Sequence, residues 1–119
     1  MKVRFTGNAH HGTEVTQGTR SLKTGAEYVV LEFHARADGR NNLRIESLPN
    51  RLPALFDARL FEVTDHHIPH VWQVFIDTHG RVSMRPPSWA PLGFWESLMD
   101  GESWAIDRYM EEKSRIESC

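Results

Sequence analysis

The side chains best able to hold a metal or move a proton are seven histidines and one cysteine. Three of the histidines crowd into Asp65-His66-His67-Ile68-Pro69-His70. His66 and His70 are spaced i,i+4, and His67 and His70 i,i+3. On a helix those spacings would aim pairs of imidazoles at one divalent ion. Pro69 lies inside the segment and has no amide hydrogen to continue a helix, so the spacing loses that meaning. No His-Glu-x-x-His pattern and no glycine-rich phosphate loop occurs. Cys119 is the last residue given, and no Gly-x-Ser-x-Gly elbow frames a serine. The expectation is a chain with no catalytic residue, no metal and no cofactor. The rival enzyme reading makes His66, His67 and His70 ligands of a divalent ion.

Charge and aromatic content point elsewhere. Residues 91–119 hold seven acids (Glu96, Asp100, Glu102, Asp107, Glu111, Glu112, Glu117) against three bases (Arg108, Lys113, Arg115). The first ninety residues keep eleven bases against nine acids. A charged run is usually the solvated face of an amphipathic helix, but acids gathered at one end of a molecule also attract and orient a basic partner. Trp89, Trp95 and Trp104 fall in the same region. Trp95 is expected to pack the helices against the rest, since a tryptophan buries its body and partners its N–H. Trp89, stiffened by Pro86-Pro87 and Pro91, is read as partly exposed and as an anchor for a partner. The predicted contact residues are therefore Trp89, Glu96, Asp100, Glu102, Asp107 and Glu111, with His66 and His67 second.

The elements that position these residues follow from hydrophobic pattern and turn signals. Tyr28-Val-Val-Leu-Glu-Phe33 is the densest apolar run, bounded by Gly25 on one side and Asp38-Gly39 on the other. It predicts a central strand buried on much of both faces. Leu43 to Leu48 alternates and pairs with it across the Asp38-Gly39 turn as an antiparallel hairpin. Lys2–Thr6, Ala54–Phe56, Phe61–Val63, Val71–Asp77 and Arg81–Arg85 read as further strands. Asp57 caps a single helical turn before Phe61. Gly7 to Gly18 is polar and aperiodic, and reads as a loop. Two helices are predicted near 93–100 and 102–116, with Gly101 ending the first. In the second helix Ile106, Tyr109, Met110 and Ile116 fall near one face, and Glu111 and Arg115 form a favourable i,i+4 pair.

Together these predict an α+β fold in one domain of 119 residues, a five-stranded antiparallel barrel over 2–85 with a helical addition over 86–119. The predicted core is Leu31, Phe33, Ile45, Phe56, Phe61, Val63, Val74 and Ile76. The length supports a core without disulfide or metal. No apolar run approaches a membrane span, and Met-Lys-Val-Arg-Phe-Thr lacks the core of a secretory signal, so a cytoplasmic location is expected. A net charge of −2 argues against a nucleic-acid partner. The alternative, a nucleic-acid-binding module, would run Arg36, Arg40 and Arg44 along a phosphate backbone.

Two stretches carry a resemblance. Leu22-x-x-Gly25-x-x-Tyr28-Val-Val, then Leu55-Phe56-Asp57-Ala58-Arg59-Leu60-Phe61-Glu62-Val63-Thr64-Asp65, then Ile68-Pro69-x-x-Trp72 resembles small bacterial SH3-like barrel proteins. Ser88-Trp89…Gly93-Phe94-Trp95-Glu96…Asp100-Gly101-Glu102 is similar to the C-terminal helical part of immunity proteins from contact-dependent inhibition and other polymorphic toxin systems. The resemblance implies a protein without an active site of its own that covers a cognate toxin domain. Such toxins are often nucleases with cationic clefts, which an acidic surface would match.

Overall fold

Tyr28–Phe33 is not one strand but the bend between two. The computed structural model describes residues 1–119, with strands β1 (Lys2–Phe5), β2 (Glu27–Val29), β3 (Glu32–Ala35), β4 (Asn41–Ile45), β5 (Ala54–Asp57), β6 (Phe61–Asp65), β7 (Gln73–Ile76) and β8 (Val82–Arg85). Helix α1 (Thr13–Thr16) is short, followed by α2 (Phe94–Met99) and α3 (Ser103–Glu117). The fold is α+β. Its strands form two antiparallel sheets, one ordered β2-β1-β6 and the other β5-β4-β3-β8-β7.

This corrects the single closed barrel. The chain leaves the first sheet after Val29 and enters the second at Glu32, and Val30 and Leu31 between them are fully buried. Their amides bond in opposite directions, Val30 N–H to the Met1 carbonyl at 3.0 Å and Leu31 N–H to the Arg44 carbonyl at 2.9 Å. An apolar run buried on both faces is what a crossing between packed layers requires, so the sequence signal was real and its strand reading too simple. The second sheet ends at β7 with a free edge. Val74 and Ile76, expected in the core, are 62% and 71% exposed there, and Val63 is 40% exposed. Leu31, Ile45 and Phe56 are buried, while Phe33 and Phe61 pack partly buried against the core.

Local signals in the second sheet translate directly. β3 and β4 pair with Phe33 opposite Leu43 and His34 opposite Asn42. Gly39 in the connecting turn has φ 86°, a conformation that glycine adopts without strain. The Asp57 carboxylate accepts from the Arg59 amide at 2.9 Å and caps a 3₁₀ turn at Ala58–Leu60. The Gly7–Gly18 stretch contains α1, which buries Val15 against Phe5 and Leu60.

The helices complete the main core rather than decorate it. In α3 the buried positions are Ala105, Tyr109, Glu112 and Ile116, at the i, i+4, i+7, i+11 spacing of one face. Ile106 and Met110, predicted on that face, are 40% and 52% exposed on its flank. Trp89 is the hub. It is 0% exposed, stacks on Phe94 with centroids 6.2 Å apart and on Tyr109 at 5.4 Å, and meets the edge of Trp95 at 5.6 Å. Its indole N–H donates to the Arg108 carbonyl at 3.3 Å. The proline-rich setting that suggested exposure instead delivers the ring inward through a 3₁₀ turn at Pro87–Trp89. Trp89→Ala is expected to cost about 3–5 kcal/mol and Trp104→Ala, at a half-exposed position, about 1 kcal/mol or less. Urea denaturation of the two variants checks the contrast.

Candidate functional site

Two surfaces carry the chemistry: the outer side of the helix pair, and the outer face of the five-stranded sheet. Gly101, at φ 75°, turns the chain between α2 and α3, so that Glu96, Asp100, Glu102 and Asp107 all stand exposed on the helices and their connection. None of these four has a cation within ion-pair distance. Glu111 differs, because Arg115 holds it at 2.7 Å, so its charge is already met. Apolar side chains accompany the acids: Met99 is 70% and Trp104 43% exposed. Trp104, Asp107 and Glu111 form one stripe of α3, since three- and four-residue steps return to one face. The sequence placed the aromatic anchor at Trp89, and the structure removes it from the surface. Trp104, whose ring lies 5.1 Å from the Arg108 guanidinium carbon, is the exposed indole of this region.

The second surface is built on Glu32. Its side chain is fully buried and its Oε1 accepts from Arg44 Nε at 2.8 Å and His34 Nε2 at 2.9 Å. Register fixes this meeting: Glu32 lies opposite Arg44, and His34 follows on the same face. Trp95 of α2 then covers Arg44, whose guanidinium carbon sits 3.9 Å from the ring centroid. Just past the end of β4 lies Glu46, which accepts from the Tyr109 hydroxyl at 2.6 Å and from Lys113 Nζ at 3.0 Å. Two carboxylates of the sheet thus tie down both helices. Arg44 is therefore structural, and the Arg36, Arg40, Arg44 row expected to follow a phosphate backbone is broken at that residue.

Beyond the helices the same face is open. His34, Asn42, Ser83, Phe75 and Arg85 project from four adjacent strands and line a cleft of about 720 Å³. Its outer wall is Arg81 paired with Asp77 at 2.6 Å. Hydrogen bonds from the Arg81 and His79 amides, together with the Arg81 side chain, hold the Asp77 carboxyl below its usual range. The alternation Glu32-x-His34 and Asn42-x-Arg44 was the readable sign of a polar strand face. In the sequence the apolar run around Glu32 masks it.

The loop histidines do not converge. His66 and His67 are exposed, and Asp65 accepts from the His67 amide at 2.9 Å. His70 turns away to contact Cys119 Sγ at 3.1 Å. No group of three His, Cys, Asp or Glu side chains is placed to hold a metal ion. No helix is long and apolar enough to cross a membrane. Comparison with protein-family models, curated proteins and solved structures finds no match to this chain.

Arg44→Met leaves the Glu32 charge buried with its main partner gone, an expected loss of about 3–5 kcal/mol. Adding Glu32→Leu should recover much of it, which a double-mutant cycle by chemical denaturation measures. Burial, then the bond to Glu46, raises the Tyr109 hydroxyl far above its ordinary 10.0. A group raised in the folded state contributes stability that is complete below the unfolded value, ~10, and is lost as pH rises above it. Absorbance titration should therefore show Tyr109 ionising only as the protein unfolds in alkali.

Proposed function

We propose that this chain is a binding protein of the immunity type, which neutralises a basic bacterial toxin domain by occupying its active site or another essential surface. The observation that carries the reading is the outer side of α2 and α3, where four exposed carboxylates without cationic partners accompany exposed apolar side chains. Unpaired carboxylates steer a cationic partner and fix its orientation. A half-exposed indole beside them supplies area that can be desolvated on contact. The resemblance of the Ser88–Glu102 stretch to immunity proteins points the same way, with Trp89 supporting the surface from beneath. In this reading the two sheets joined through Val30 and Leu31 are an opened SH3-like barrel, the chain acts in the cytoplasm, and the target is a nuclease whose cationic cleft the acids match. His66 and His67, exposed on the loop after β6, are second-rank contacts.

The test uses the protein encoded immediately upstream of this chain's gene, which this reading requires to carry a basic toxin domain. Asp100→Lys with Glu102→Lys should slow association about tenfold at low salt and flatten its salt dependence. Trp104→Ala should leave association nearly intact and speed dissociation about thirtyfold, the effect of a ~2 kcal/mol anchor. Rates unchanged by both variants would place the interface elsewhere.

A further inference from the structure

The cleft on the outer face of the five-stranded sheet is independent of that reading and has a character opposite to the helical end. Three guanidiniums, those of Arg36, Arg81 and Arg85, line it against a single carboxylate, Asp77. Arg36 is partly offset from outside the cleft by Asp38 at 3.4 Å, and Arg81 is held by Asp77 at 2.6 Å. Each still has donors to spare, because one guanidinium carries five N–H groups.

Arg85 is different. It belongs to none of the molecule's ion pairs, and its Nε is buried without an acceptor. A buried donor left unpaired normally costs about 1–3 kcal/mol, so a half-buried arginine in this condition calls for an anionic acceptor. The register Phe33 opposite Met84 puts Glu32 in the row beside Arg85, yet no ion pair joins them: Glu32 Oε1 is committed to Arg44 and His34, and its Oε2 is buried without a partner of its own. The Phe75 ring, with its centroid 5.0 Å from the Arg85 guanidinium carbon, steadies the fork from one side. Asn42 and Ser83 add neutral donors, and His34 is steadied by its Nε2 bond to Glu32.

We propose that this cleft binds the phosphoryl group of a small molecule, with Arg85 as its direct ligand and Arg36, Arg81, Asn42 and Ser83 completing the shell. The excess of guanidinium over carboxylate suits a doubly charged oxyanion better than a single carboxylate, and the arginine fork matches two of its oxygens. The cleft can accommodate a substituent on the phosphate, with the Phe75 ring beside it.

Amide NMR titrations of the whole chain at fixed ionic strength, with inorganic phosphate, phenyl phosphate and acetate as probes, test this. Saturable shifts at His34, Ser83 and Arg85 are expected with both phosphates. Acetate should bind about tenfold more weakly. Tighter binding of phenyl phosphate identifies a phosphate ester as the natural class; equal binding identifies free phosphate. Arg85→Gln, with a dispersed spectrum confirming its fold, should weaken phosphate about tenfold or more, and Arg85→Lys should restore only part. If Arg85→Gln does not fold, the Arg85→Lys loss decides alone. Shifts that fail to saturate, that scatter over the surface, or that are the same in wild type and the folded variants overturn the proposal.

Discussion

A carboxylate with no exposed surface, Glu32, sits at the start of the middle strand of the larger sheet. Its charge cannot be left unmet in the interior, because the desolvation cost of an unpaired ion is several kcal/mol. Arg44 answers it from the neighbouring strand and is itself drawn out of water. Trp95 then closes over the arginine, which brings α2 onto the sheet, and Glu46 holds α3 one step further along through Tyr109 and Lys113. The position of both helices follows from the need to pair two carboxylates carried by neighbouring strands, Glu32 on β3 and Glu46 just past β4. Trp89 fills the space left between them, stacked on a residue from each helix.

The same arrangement divides the molecule by charge. Pairing on the covered half of the sheet face consumes Arg44, Glu46 and Lys113, and on the helical surface Glu96, Asp100, Glu102 and Asp107 have no cationic partner. On the uncovered half it leaves Arg85 without one. A chain of nearly balanced charge thus displays an anionic surface and a cationic cleft, each set by which groups the interior has already used. Counting residues along the sequence locates the anionic surface but not the cationic cleft.

What could be read in advance divides along physical lines. The β3–β4 hairpin, the Asp57 cap and the limits of α2 and α3 depend on local signals, a glycine turn, a side-chain acceptor and a glycine stop, and these acted where they were read. The fate of Tyr28–Phe33 depended on which sheet each half would join, and that is a long-range matter. Trp89 shows the same limit: prolines specify a stiff local path, not whether it runs inward or outward. Val74 and Ile76 have every property of core strand residues, but on the edge strand β7 nothing covers the face from which they project. The acids Glu96, Asp100, Glu102 and Asp107 were legible because exposure is the default state of a charged side chain. The Glu32–Arg44 pair was not, because its partners lie on different strands and one carboxylate inside an apolar run reads as an interruption.

In the proposed reading α2, α3 and their connection form the contact surface for a basic protein domain. Hydrogen exchange of the chain, free and bound to that domain, tests it most directly, because protection maps the covered backbone without altering any residue. The account predicts new protection concentrated at 96–111. Protection confined to the β7 edge or to the loop at 66–70, with 96–111 exchanging as in the free chain, would contradict it.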